Sequence, residues 1–568
     1  MKDQKAQNIH ASITNLFDKE VNLRVHTELI GETQPALDII FEKEQITPIV
    51  TGLKGTHKTT IEVKAPLNSS ADGVKFVAIT EAKDVALILP FIAKPFKAET
   101  LQIRTDDKTV TISGKGTLNP FAEAWWPVDF QWHEQIDAFG NHTNVSGVLT
   151  SIDTPMPALF SRLGLSVDGV LKHHFTLKRS GEDSPFDITL HSDLATGAIN
   201  SQTFEWSKAS NIQGSFEMQA QLAPDASFID LQNIAFRAPD AEIMGTFYST
   251  LKENGTLSDV SFSFDPFIIG ATHAAINFRD ENYSLIGQSF NFSKIGSGNL
   301  NTDIPIKDGH YTVDIKRLTF KGGQFENLLG YIKRTDNKWE SFDFKSLVGK
   351  GRSPLTIQLI EENVNNNQKR HFEVIAGDAG AALKALGVYN NLEEGRLEAI
   401  LNINHEYSAF GFDADGYVLI EDTYMKNAPV MARLLSLVSL QQILQADKGI
   451  NFDRIYLPLL MDDRVLRVKR GKLKGPNIGM NLKGYVDFAN DNMKFEGALI
   501  PATAVNTVVK NIPLLGPLLT GSQGAIVAAD FSVKGPLDKP DVSANPFSLV
   551  TPGIFKDIWD GIAGGGDE

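Results

Sequence analysis

Cysteine is absent from all 568 residues, which removes disulfides, thiolate nucleophiles and cysteine-based zinc sites together. An excess of positive charge is missing too. Sixty-nine acidic residues against 54 basic ones leave a formal charge of −15, whereas a protein that grips nucleic-acid phosphates carries a basic surface. No nucleic acid is therefore expected as a partner. No apolar run approaches the roughly 18 to 20 residues that cross a bilayer as a helix; the nearest, residues 85–93, is half that length. Residues 1–20 carry Lys2, Asp3, Lys5, Asp18, Lys19 and Glu20 with no apolar stretch between, so they do not read as a secretory signal.

Tyrosine and tryptophan are scarce beside phenylalanine, at 10 and 6 against 35. That balance favours core or lipid packing over sugar platforms and base stacking, which use aromatics with a polar handle. Hydrophobic residues at 42% and charged residues at 22% are those of a chain that buries a core.

What is present is period-two alternation from end to end, which sorts side chains onto two faces of a sheet. Thr59, Ile61, Val63 and Ala65 alternate with Thr60, Glu62 and Lys64; Leu355, Ile357 and Leu359 alternate with Thr356 and Gln358. Ile478, Met480, Leu482, Val486 and Phe488 repeat the pattern, and Met493, Phe495 and Leu499 continue it on the next predicted strand. Turn-forming clusters such as Arg279-Asp280-Glu281-Asn282 and Asn490-Asp491-Asn492 recur about every 10 to 16 residues, a spacing that suits antiparallel meanders and is too short for parallel crossovers. A mainly β, antiparallel fold is expected. These alternating residues are the candidate lining of an apolar groove, and burial in a closed sandwich core is the competing reading.

Helical patterns are few. Residues 157–164 and 378–387 each read as a short amphipathic helix stopped by glycine. Residues 428–446 form a longer one with Met431, Leu434, Leu435, Leu437, Val438 and Ile443 on its apolar side, expected to cap the open end of a sheet or to face a membrane. Residues 504–519, broken by Pro513 and Pro517, and residues 549–562 are apolar as well. The asparagine-rich residues 363–370 read as a loop and mark a boundary between a repetitive region, 1–370, and a C-terminal region, 371–568.

Signatures of chemistry are incomplete. Residues 51–60 lack the Gly-Lys-Ser/Thr of a phosphate loop, and Gly114 and Gly116 lack the third glycine of a dinucleotide fingerprint. His133-Glu134 and His405-Glu406 lack the second histidine of a zinc helix, and Ser297 lacks the glycines of a nucleophile elbow. His173 and His174 are adjacent, so in a strand they point to opposite faces. Neither an enzyme nor a cofactor is expected, and no metal site.

An ordered series of phrases then narrows the reading. Residues 377–387 (GDAGAALKALG), 427–437 (NAPVMARLLSL), 511–516 (NIPLLG), 535–540 (GPLDKP) and 545–547 (NPF) resemble the C-terminal region of the AsmA-like family, the group of AsmA, YhdP and TamB in Gram-negative bacteria. The likeness is strongest over residues 371–560; residues 1–370 share the β-rich texture of the family's middle region. The resemblance implies an elongated, bent β-sheet with an apolar groove, of the bridge-like lipid-transfer type. It also implies an inner-membrane anchor helix that this chain does not contain, a periplasmic location, and passage of phospholipids between inner and outer membranes or their proteins. An assembly factor for outer-membrane proteins and a surface adhesin or polysaccharide-binding β-solenoid are the alternatives.

Overall fold

The computed structural model describes residues 4–16, 21–34, 51–67, 73–88, 95–121, 124–137, 140–152, 165–181, 183–252, 257–292, 308–320, 323–336, 338–364, 367–406, 412–437, 449–462, 464–501, 527–537 and 539–549. The expected helix at 157–164 and the apolar segment at 504–519 lie outside the described residues, as do most of 549–562, part of 85–93, and Ser297.

The chain is mainly β and divides into two compact units, Met1–Asp280 and Glu281–Glu568. In the first unit, strands pair antiparallel in chain order. Asn22–Glu32 joins Thr51–Pro66, which joins Lys75–Ile88, and the sequence continues to Thr272–Arg279. One detour interrupts it: Gly140–Ile152 pairs directly with Val170–Arg179, while Leu165–Asp168, Ala198–Ser201 and Trp206–Lys208 form a separate three-stranded sheet. Strict alternation makes the main sheet two-faced, because each register pair places like with like.

That register can be followed as a row on one face. Ala82 lies across from Leu101, Leu101 from Gly114, Gly114 from Phe130 and Phe130 from Gly147. The row passes on through Phe175, Leu190, Met218 and Ile234, and then through Gly245, Phe264 and Ile276. Every position is apolar or glycine.

The second unit repeats the scheme from Gly309–Phe320 to Asp541–Leu549. Its first pairing departs from the antiparallel expectation: Asn282–Asn291 and Gly309–Phe320 run parallel. A parallel pair needs a crossover of about a dozen residues or more, and this connection is the longest between neighbouring strands at that end of the unit. Of the asparagine-rich stretch expected as a loop, the described residues are paired in antiparallel strands instead, Asn363 across from Gln368 and Val364 from Asn367.

Two helices are described. Ala379–Ala385 begins where Asp378 accepts the Ala381 N–H at 2.8 Å, and Gly387 takes a left-handed φ of 68° at its end. It seats tightly, because a Cβ on Gly349 would stand 2.7 Å from the Ala381 methyl. Pro429–Leu437 is the described part of the longer helix expected from residue 428.

Candidate functional site

The second unit carries the fuller apolar face. Val313, Gly330, Phe344, Ile357, Val374 and Ala399 are successive cross-strand partners. The row continues from Ala399 to Val418 and Leu457. Leu457 and Leu482 then meet over Gly471, where an added Cβ would contact both. Beyond Leu482 come Gly497, Phe531 and Ala544.

A parallel row two residues along each strand is more deeply buried. It contains Ala376, Leu397, Ile420, Ile455, Leu473 and Met480. Over it lie the helices, whose Ala379, Ala382, Met431, Leu434 and Leu435 belong to the same buried cluster as Ile478, Met480 and Leu499. One margin of the face is thereby covered, and of the row further along the strands Val313, Phe344, Ile357, Val374, Val418, Leu457 and Leu482 are only half-buried, while Ala399 and Phe531 are buried.

The candidate lining residues from the sequence fall along this gradient. Ile478, Met480 and Leu499 are buried beside the helices; Leu482, Met493 and Phe495 pack partly buried against them. Val486 is half-buried opposite Met493, and Phe488, just past the strand end, is 55% exposed. Of the helix residues, Met431, Leu434 and Leu435 face the sheet and Leu437 is exposed. Val438 and Ile443 lie outside the described residues.

Glycines recur beneath aromatic rings. Across from Gly330, Gly484 and Gly497 sit Phe344, Phe495 and Phe531, with ring atoms 2.5, 2.6 and 2.8 Å from where a Cβ would be. The first unit does the same at Gly147 with Phe175 and Gly245 with Phe264. A ring laid over glycine covers bare backbone and lies along the sheet.

The first unit also has one covered margin. Phe204 and Trp206, from the small sheet and its turn, pack on Phe267 and Phe236 with ring centres 5.5 and 5.9 Å apart. Near it His173 bridges Ser151 and Ser192, its Nε2 and Nδ1 at 2.9 and 2.7 Å from their hydroxyls, stacked on Trp126. Burial pushes its pKa down. His174 is exposed on the other face, so the pair does not converge. His57, held between Thr59 and Gln4 at 2.6 and 2.7 Å, is likewise pushed down by burial.

The opposite margin of the first unit carries polar groups that alternation could have flagged. Thr105, Val110, Glu134, Thr143 and Arg179 form a row, each two residues beyond an apolar-face residue such as Trp132, Val145 or Leu177. The outer faces are charged and hydroxylated: the Tyr417 hydroxyl donates to Glu398, which pushes its pKa up to about 12. Among the described residues no three histidines, aspartates or glutamates assemble a metal site, and no helix is long and apolar enough to cross a membrane.

A family model described as YhdP protein matches residues 1–542. The chain belongs to the YhdP family. The match reaches through residues 1–370, where only β-rich texture was expected to carry the likeness, and it agrees with the AsmA-like phrases near the C-terminus. No curated protein matches the chain. Membership places this YhdP-family chain in the AsmA-like group, and the mainly β fold with its one-sided apolar rows is what those phrases led us to expect.

Proposed function

We propose that this YhdP-family chain is a non-enzymatic, lipid-binding conduit. It acts in the periplasm of a Gram-negative envelope, expected to be held at the inner membrane by a helix outside this sequence. Its cargo is phospholipid travelling between the inner and outer membranes, with outer-membrane integrity as the outcome, and its partners are those membranes or their proteins. The observation that carries the reading is the cross-strand row in each unit that contains only apolar residues and glycine.

The physics of the cargo explains why such a row matters. Each exposed CH2 costs about 0.8 kcal/mol, so a 16-carbon chain held in water costs on the order of 12 kcal/mol. A strand-to-strand apolar row offers the next contact before the last is lost, which keeps that cost from appearing as a barrier. Glycine beneath each ring keeps the phenylalanines low against the sheet and leaves room above them. Leu482, Val486, Met493 and Phe495 serve as lining, with Phe488 exposed past the strand end; Ile478, Met480 and Leu499 belong with Met431, Leu434 and Leu435 to the covered margin. No side chain has to break a bond for this work.

Native mass spectrometry of the chain purified from phospholipid-rich envelopes tests the reading. Co-purified phospholipid, lost when Leu482 and Val418 are both changed to Asp, is the expected result. A lipid-free chain contradicts it.

A further inference from the structure

We infer that Glu134, Thr143 and Arg179 form a headgroup site for a zwitterionic phosphate–amine lipid on the apolar face of the first unit. The inference rests on the conduit reading and deepens it by naming the headgroup.

Register fixes the three residues as neighbours, since Thr143 lies across from Glu134 on one side and from Arg179 on the other. All three side chains stand on the same face as Val145, Phe175 and Leu177. They are nevertheless withdrawn from water, at 5, 2 and 8% exposure for Glu134, Thr143 and Arg179. A buried charge without a counter-charge is costly, and a buried hydroxyl without a partner is costly as well.

Arg179 has neither remedy. Its guanidinium rests 4.9 Å over the Phe186 ring, which orients it, but its Nε is sealed from solvent with no hydrogen-bond partner, and no ion pair reaches it among the described residues. The Thr143 Oγ1 beside it is likewise buried and unpartnered. A guanidinium and a hydroxyl on adjacent strands are the donors that an oxyanion requires.

Glu134 decides which oxyanion. One of its oxygens accepts the Trp132 indole N–H at 3.1 Å, and the carboxylate flanks Thr143 on the side away from Arg179. Two strand spacings put the Glu134 and Arg179 backbones about 10 Å apart, too far for a close pair. A purely anionic headgroup would meet this carboxylate as a like charge. A headgroup whose phosphate joins an ammonium through a two-carbon linker satisfies the whole row, phosphate on Arg179 and Thr143, ammonium on Glu134. Its acyl chains then lie over Leu177, Phe175 and Leu190.

The test uses the purified full chain and native mass spectrometry titrations with three dioleoyl lipids: phosphatidylethanolamine, phosphatidylglycerol and diacylglycerol. The variants are Arg179→Met, Arg179→Lys, Thr143→Val and Glu134→Gln. Arg179→Met should weaken both phospholipids about tenfold or more, the worth of one charge-assisted hydrogen bond, and leave diacylglycerol unchanged. Arg179→Lys should recover part of the loss. Thr143→Val should weaken both phospholipids less than Arg179→Met does, and Glu134→Gln should weaken phosphatidylethanolamine alone. Thermal melting should show Arg179→Met folded and no less stable, since it removes an unpaired buried charge.

Equal effects of Arg179→Met on all three lipids, or none on any, overturn the site while lipid binding itself stands. Equal effects of Glu134→Gln on both phospholipids overturn the zwitterionic assignment. Soluble phosphoethanolamine binding with the same Arg179 dependence as the lipid makes the ligand a small molecule and overturns the lipid assignment. A wild-type chain that binds none of the three lipids overturns the conduit reading together with this one.

Discussion

Gly497 lies directly across from Phe531, and a Cβ on that glycine would stand 2.8 Å from the ring's Cζ. The ring and the Asn481 carbonyl together occupy the space that any other side chain would need. It therefore folds along the sheet, over the strand that holds Leu499 and Phe495.

Replacing Gly497 with Val should lift the Phe531 ring and strain two strands. Overpacking of this kind costs about 1 to 3 kcal/mol. Urea denaturation should show the midpoint falling, and Phe531→Ala combined with Gly497→Val should cost less than the sum of the two single changes, because the ring's share of the clash is then gone while the Asn481 carbonyl still crowds the new side chain.

Leu435 is fully buried on the Pro429–Leu437 helix, whereas Leu437 is 47% exposed. Leu435→Ala should leave a cavity worth about 2 to 5 kcal/mol. Leu437→Ala should change stability by less than about 0.5 kcal/mol. The same denaturation experiment separates them; equal losses would mean the helix does not lie on the sheet through its Leu435 side.

Asp378 caps the Ala379–Ala385 helix through the Ala381 N–H. Asp378→Ala should cost about 1 kcal/mol, and Asp378→Asn or Asp378→Ser less, because both can still accept the bond. Melting temperatures of the three variants check the order.

His57 is buried and His173 half-buried, and desolvation holds the pKa of each below the ordinary histidine value. The unfolded chain then binds protons more readily than the fold. Their contribution to stability is complete above the unfolded value of about 6.5 and is lost as the pH falls from there through the folded values. Denaturation midpoints taken from pH 8 down to pH 5 should decline, and His173→Gln with His57→Gln should flatten part of that slope. An unchanged slope in the double variant would remove both histidines from the account.

Alternation made most of this fold legible, because Leu482 beside Lys483 and Ile357 beside Gln358 sort themselves onto two faces in any register. It also placed His173 and His174 on opposite sides. The parallel pairing of Asn282–Asn291 with Gly309–Phe320 was not legible, since alternation is the same for both strand directions. Residues 363–370 misled through composition: asparagine favours turns, yet Asn363, Val364, Asn367 and Gln368 stay in the ladder. Of the candidate site, the apolar face could be read from residues alone, but not that Ile478, Met480 and Leu499 lie buried at its covered margin. The row of Glu134, Thr143 and Arg179 was missed although alternation carried the signal, because a charge in an alternating strand reads as solvent-facing until its parity with Trp132, Val145 and Leu177 is counted.

Photo-crosslinking tests most directly whether lipid chains travel on the apolar face. A benzophenone side chain placed at Leu482, and at Lys483 on the opposite face as the control, should capture phospholipid in cells at Leu482 and not at Lys483. Capture at neither position, or equally at both, would contradict the account.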